Sequence, residues 1–252
     1  MVSIMEAKGL CFNVSGYMKL EVCCGNIASV KAAIDGGADR IELCRDLELD
    51  GLTPSQEMIR EAVSLCHPAG LFVHVLVRSR DGNFVYDDAE VEKMENEIRM
   101  AVGEGADGVV IGALTPDGYI DVDACRKWID AVQLANGHLC RNVTFHRAFD
   151  VCNNPLEAIW QVARLGCNRI LTSGQQSTAE KGIPLLKQLV RKAEEISAKS
   201  GHEFSILCGA GVNTLNASMI LKETGATEIH GSLRTGLVSD AQKIRQVKRS
   251  IS

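Results

Sequence analysis

Apolar residues in this chain fall into short, β-branched runs separated by longer stretches with helical spacing, and the two alternate from Met18 to the C-terminus. Four of the runs share one lead-in: Gly37-Ala-Asp-Arg-Ile-Glu-Leu43, Gly105-Ala-Asp-Gly-Val-Val-Ile111, Gly166-Cys-Asn-Arg-Ile-Leu-Thr172 and Gly225-Ala-Thr-Glu-Ile-His-Gly231. In each, a glycine suited to a left-handed helix end precedes a short polar loop, and an apolar strand follows. The echoes recur roughly every 60 residues, the length of two strand–helix units of about 30 residues each. They therefore mark every second strand of a series of eight.

Runs at 19–23, 71–78, 142–146 and 204–208 supply the other strands. Amphipathic stretches at 27–35, 55–66, 87–104, 122–134, 155–165, 179–198, 215–224 and 240–251 supply the helices. Thr53-Pro54 and Asn154-Pro155 suit helix starts, where proline fits the first turn, and Asp87-Asp88 suits an N-cap. No linker-like composition divides the chain. The pattern predicts a single-domain (β/α)8 TIM barrel over residues 18–252, preceded by a flexible lead-in at 1–17. An open doubly wound sheet is the competing architecture, but it normally carries a G-x-G-x-x-G turn after the first strand. Here Cys24-Gly25-Asn26 stands in that place.

Alternation along the strands shows where polar groups go, because an unpaired charge facing the helical layer is costly. Glu21 and Cys23 share a face, as do Glu42 and Cys44; His74, Leu76 and Arg78; Thr144 and His146; and Glu228, His230 and Ser232. The opposite faces are mostly Val, Ile, Leu and Phe. A polar lumen follows. The C-terminal strand ends, where such barrels place their chemistry, carry Cys23-Cys24, Arg78-Ser79-Arg80, His146-Arg147 with Asp150, Ser173-Gly174, Gly209-Ala210-Gly211 and Arg234.

Composition narrows the function. A net charge of −5 without a basic block argues against nucleic acid. No apolar run reaches the roughly 20 residues a membrane span needs, and no export signal is visible, so a cytoplasmic address is expected. Aromatic residues make up only 4% of the chain, which leaves the core to aliphatic side chains and suits a parallel sheet. The ten cysteines show neither C-x-x-C pairs nor zinc-finger spacing. Most, including Cys125, Cys152 and Cys167, read as small buried hydrophobes. His67, His138 and His202 read as solvated, and Trp128 and Trp160 as packing residues or part of a subunit contact.

The runs Glu21-Val-Cys23, Gly36 to Cys44, Gly51-Leu-Thr-Pro-Ser55, Thr144-Phe-His-Arg-Ala-Phe-Asp150, Leu171-Thr-Ser-Gly174 and Gly209-Ala-Gly211 resemble the CutC family of copper homeostasis proteins, in the same order and over about residues 18–235. The resemblance implies a (β/α)8 barrel, a cytoplasmic protein with the nucleus as a second address, self-association as a homo-oligomer, and copper handling with Cu(I) at Cys23 and Cys44. The family usually carries R-P-R-G-G-D-F after the third strand. Here Arg78-Ser79-Arg80-Asp81-Gly82-Asn83-Phe84 replaces it, which keeps the arginines and alters the loop.

Two functions are carried forward. In the first, Cys23 and Cys44 on neighbouring strands, at matched heights because each follows a Glu-x, bracket one soft ion. Cys24 points the other way on a regular strand. Both thiols could equally be inert lumen fillers. In the second, the barrel is an enzyme for a small anionic, phosphorylated metabolite. Arg78, Arg80, Arg147, Ser173, Gly174, Gly209, Gly211 and Arg234 would bind the anion, and Glu21, Glu42, His146 and Asp150 would serve as acid–base groups. A self-satisfied ion network would explain the same residues without any ligand.

Overall fold

A computed structural model describes residues 18–134 and 142–252. The expected lead-in and His138 lie outside the described residues. Eight parallel strands close into a barrel in sequence order: β1 (Lys19–Cys24), β2 (Arg40–Leu43), β3 (Phe72–Leu76), β4 (Gly108–Ile111), β5 (Asn142–Phe145), β6 (Arg169–Thr172), β7 (Ser205–Cys208) and β8 (Glu228–Gly231). Eight helices cover it: α1 (Ile27–Gly36), α2 (Gln56–Cys66), α3 (Asp88–Gly103), α4 (Val122–Leu134), α5 (Pro155–Leu165), α6 (Ile183–Ser200), α7 (Ala217–Thr224) and α8 (Ala241–Ile251). After β8 a small antiparallel hairpin, β9 (Arg234–Thr235) and β10 (Val238–Ser239), folds at the mouth.

Local chemistry sets the helix limits. Asn26, Ser55, Asp87 and Asp240 accept backbone N–H groups at the starts of α1, α2, α3 and α8, and Asp87 with Glu90 completes a capping box. Glycines 37, 166 and 225 end α1, α5 and α7 in the left-handed conformation foreseen from the echoes. Helix α6 starts four residues later than its apolar pattern suggests. Gly182 lies so close to the Ser173 carbonyl that a Cβ there would sit 1.7 Å from its oxygen, and the helix begins only past that contact, with Pro184 in its first turn. Between sheet and helices lies the aliphatic core. The largest of its buried side chains, Trp128, donates Nε1–H to the Val91 carbonyl at 3.0 Å. Trp160 is only partly buried and packs under Lys199.

The lumen is stacked in layers of four side chains taken from alternate strands. Above a rim of Lys19, Phe72, Asn142 and Ser205, register places Arg40, Gly108, Arg169 and Glu228 in the lowest buried layer, then Glu21, His74, Thr144 and Leu207. Above these come Glu42, Val110, Leu171 and His230, and at the mouth Cys23, Leu76, His146 and Gly209. The lowest layer corrects the sequence reading. Arg40 and Arg169 fall within the polar lead-in of two echoes, yet both are buried first residues of strands. Closure of the barrel brings β2 and β6 within reach of the β8 carboxylate, so charges that looked like loop residues become mutually neutralising. Arg40 Nη2 donates to Glu228 at 2.7 Å, its Nε donates to Glu21, and Arg169 lies 3.3 Å from Glu228.

Candidate functional site

Above this neutralised floor the mouth opens into a cavity of about 440 Å³. Cys23, Glu42, Leu76, His146, Leu171 and His230 shape its base, and Arg78, Arg147, Asp150, Gly211 and Arg234 are on its walls. Two glycines on the β4 line make room for imidazoles. A Cβ on Gly108 would come within 2.6 Å of the His74 ring, and one on Gly112 within 2.6 Å of the His146 ring.

The two inward cysteines meet, but not at the expected heights. Cys23 pairs in register with Glu42, and Glu21 with Arg40, because strands in a tilted barrel are staggered. The matched Glu-x-Cys spacing therefore does not put like beside like. Cys44 lies one pleat further along, directly after β2, and its sulfur still comes 3.8 Å from that of Cys23. The Cys23 thiol also reaches Glu42 Oε1 at 3.4 Å. His230 closes the group: potential ligand atoms of Cys23, Glu42 and His230 all lie within 4.8 Å of one another. Cys24, last residue of β1, faces the helical layer as alternation requires and is fully buried there.

Charge at this cluster is shared. Burial lowers the tendency of His230 to protonate, but Glu42, Cys23 and Glu21 outweigh it and raise its pKa well above the ordinary imidazole value. His230 Nδ1 lies 2.8 Å from Glu21 Oε1. Burial pushes Glu42 up, aided by the negative charge of Glu21 and opposed by His230. Contact with the Cys44 thiol, then burial, drives the Cys23 pKa well above the thiol range. Glu21 stays ionised in spite of burial, because Arg40, His230 and His74 hold its pKa well down.

The remaining sequence candidates divide into two groups. His146 caps the turn after β5: its Nδ1 accepts the Ala148 N–H at 3.1 Å, and burial brings its pKa down to about 3. Arg78 is buried at the cavity wall, whereas Arg147 and Arg234 are exposed there. Gly211 lines the cavity beside Ala210, both with positive φ. The others are held by partners within the protein. Asp150 is consumed by structure: it accepts Arg147 Nε at 2.8 Å, Ser173 N–H at 2.9 Å, Gln175 N–H at 3.2 Å and the Thr172 hydroxyl. The Ser173 N–H is thereby taken, and the Gly174 N–H goes to Thr172 Oγ1 at 2.9 Å. Gly209 donates to the Thr172 carbonyl at 3.0 Å, and a Cβ there would strike Leu171. Arg80 turns from the mouth to Glu90, Asn83 and the Val85 carbonyl, and so braces the altered 78–84 loop.

His230 is the main residue that the sequence candidates lacked. Its signal was present, since it shares the inward face of β8 with Glu228, but only closure of β8 onto β1 sets it beside Cys23 and Glu42.

Neutral burial of His146 has a measurable consequence. Between pH 6.5 and about 3 the unfolded chain binds a proton at this histidine that the native state refuses, so stability falls as pH drops through that window. Glu228 adds the same sign lower down: burial opposes its charge, but Arg169 and Arg40 hold its pKa to about 2, below an unfolded value near 4.5. Urea midpoints measured from pH 7 to pH 4 should fall more steeply for the wild type than for His146→Gln. Parallel curves would mean that the native imidazole titrates normally.

Comparison with known proteins agrees with this architecture. The CutC family profile matches residues 18–235. CutC family proteins of Pasteurella multocida and Bacteroides thetaiotaomicron are 43% and 46% identical over 84% and 88% of this chain, covering 81% and 83% of their own lengths. A crystal structure of CutC from Streptococcus agalactiae, itself only proposed as a copper homeostasis protein, superposes with a TM-score of 0.77 at 33% identity, over 85% of this chain and 98% of that one. Thiamine phosphate pyrophosphorylase from Pyrococcus furiosus shares the fold alone, with a TM-score of 0.60 at 16% identity over 93% and 95% of the two chains. With the barrel closed, the inward cysteines in contact and the match running from Met18 to Thr235, the chain belongs to the CutC family.

Proposed function

We propose that this protein handles copper in the cytosol, taking up Cu(I) between Cys23 and Cys44 at the barrel mouth for buffering or transfer. The carrying observation is the 3.8 Å separation of the two sulfurs. Metal–sulfur bonds are about 2.3 Å, as known for zinc, so one ion can touch both. Cu(I) favours soft thiolates, and His230, once it gives up its proton, offers a further nitrogen within 4.8 Å of the Cys23 and Glu42 ligand atoms. No helix among the described residues is long and apolar enough to cross a membrane, in keeping with a carrier that works in solution.

Binding must displace a proton from Cys23, which the native environment holds as a thiol. Affinity should therefore rise with pH. An anaerobic titration of the reduced protein against a competing Cu(I) chelator tests the reading. One equivalent should bind, and Cys23→Ser and Cys44→Ser should each weaken it by more than about a hundredfold, beyond what loss of a merely supporting partner costs. Cys24→Ala, buried on the other face, should leave it unchanged. Binding indifferent to Cys23 and Cys44, or lost equally in Cys24→Ala, would remove copper from this site.

A further inference from the structure

The cavity wall away from the sulfurs carries two buried N–H groups that the protein leaves unused. Arg78 is 4% exposed, and its terminal nitrogens are spent on backbone: Nη1 donates to the Leu49 and Gly51 carbonyls at 2.7 and 3.1 Å, and Nη2 to the Gly82 carbonyl at 3.0 Å. Its Nε is buried and makes no hydrogen bond of normal geometry, the neighbouring Tyr86 hydroxyl is a neutral group, and no carboxylate among the described residues forms an ion pair with it. His146 is 5% exposed. Because its Nδ1 accepts the Ala148 N–H, the ring proton sits on Nε2, which is also buried and unpartnered. The Phe84 ring packs against both groups, with the guanidinium carbon 5.3 Å and the imidazole 5.0 Å from it; both residues line one cavity, and the Arg78 charge is felt at the His146 ring.

A buried cation without a counter-charge and a buried donor without an acceptor each cost free energy that an apolar pair would avoid. An anionic oxygen ligand relieves both at once. We infer that Arg78 Nε–H and His146 Nε2–H hold the carboxylate of a small hydroxy acid in the barrel mouth. The choice of carboxylate follows from the donor count. The terminal nitrogens of Arg78 are occupied, which rules out a paired grip on either anion and leaves two single donors and one positive charge, a match in number to the two oxygens and single charge of a carboxylate. On the same cavity Glu42 Oε2 is buried and unpartnered, and it can accept the hydroxyl of a hydroxy acid. A volume of about 440 Å³ lies near the lower end for small-ligand sites. Of the acidic groups on the walls, Asp150 is committed to Arg147 and the turn after β6, and Asp50 is exposed at the rim.

Lactate, inorganic phosphate and chloride, added at equal ionic strength to the ¹⁵N-labelled full chain, separate the outcomes. Lactate should shift the Arg78 Nε and His146 Nε2 resonances together and saturably, and phosphate and chloride should not. His146→Gln should weaken lactate binding about tenfold, the worth of one hydrogen bond to a charged group. Cys23→Ser should retain it, which keeps this inference separate from copper binding. Unmoved resonances, an equal response to phosphate, or full affinity in a folded His146→Gln protein would overturn it. Should that variant not fold, the two wild-type resonances decide.

Discussion

Replacing Arg40 by methionine should lower folding stability by about 3–5 kcal/mol, the cost of removing one partner from a buried ionic cluster. The guanidinium is 5% exposed and bridges Glu21 and Glu228, both essentially shielded from water. Methionine matches much of its length but supplies neither charge nor donor, so two carboxylates are left with Arg169 and His230 as their remaining cations. Domains of this kind are stable by about 5–15 kcal/mol, so a large share would be lost. Guanidinium denaturation against Arg60→Met gives the control, since Arg60 pairs with Glu104 on the exposed surface, where water screens the pair, and its loss should be far smaller. Equal, small losses would mean that water penetrates the barrel floor and screens it. The site would suffer as well, because Glu21 orients His230 and His230 stands beside Cys23.

Asp150→Ala comes second, with an expected loss of about 2–4 kcal/mol, because buried donors lose a charged acceptor that nothing replaces. The Asp150 carboxylate ties the turn after β5 to the turn after β6, collecting the Thr172 hydroxyl and the N–H groups of Ser173 and Gln175. Gln175 has positive φ and Ser173 is fully buried, so the segment has little freedom to find other partners. Proteolysis should then cut between 173 and 182 before the rest of the barrel opens. An unchanged cleavage pattern together with unchanged stability would show that the turn holds its shape without Asp150. Asp150→Asn, which keeps one acceptor oxygen, should fall between wild type and alanine.

These two residues also show how far the sequence could be read. Asp150 stood out within Thr144-Phe-His-Arg-Ala-Phe-Asp150, and its place at the mouth was legible; its use as an internal brace was not, since its partners come from the next strand–loop unit. Arg40 and Arg169 were hidden for a different reason. Each follows Asp or Asn in a polar lead-in that reads as loop, and only the neighbouring strands reveal a buried lumen position. The anion-binding expectation changed membership in the same way. Of its members Arg78 keeps a free donor on the cavity, whereas Ser173, Gly174 and Arg80 satisfy their own chain, and His146, expected as an acid–base group, carries a second free donor there.

The sequence by itself determined what is local and periodic: eight repeated strand–helix units, the inward and outward faces of β1, β2, β3, β5 and β8, several helix caps, and Cys24 turned away from Cys23. Those features depend on residue spacing and on chemistry a few positions along the chain. Tertiary structure decided which inward side chains meet. The stagger of the closed barrel, which no single strand encodes, sets Cys23 beside Glu42 instead of level with Cys44. Closure of β8 onto β1 then carries His230 to the same cluster from 207 residues away in the chain (230 − 23).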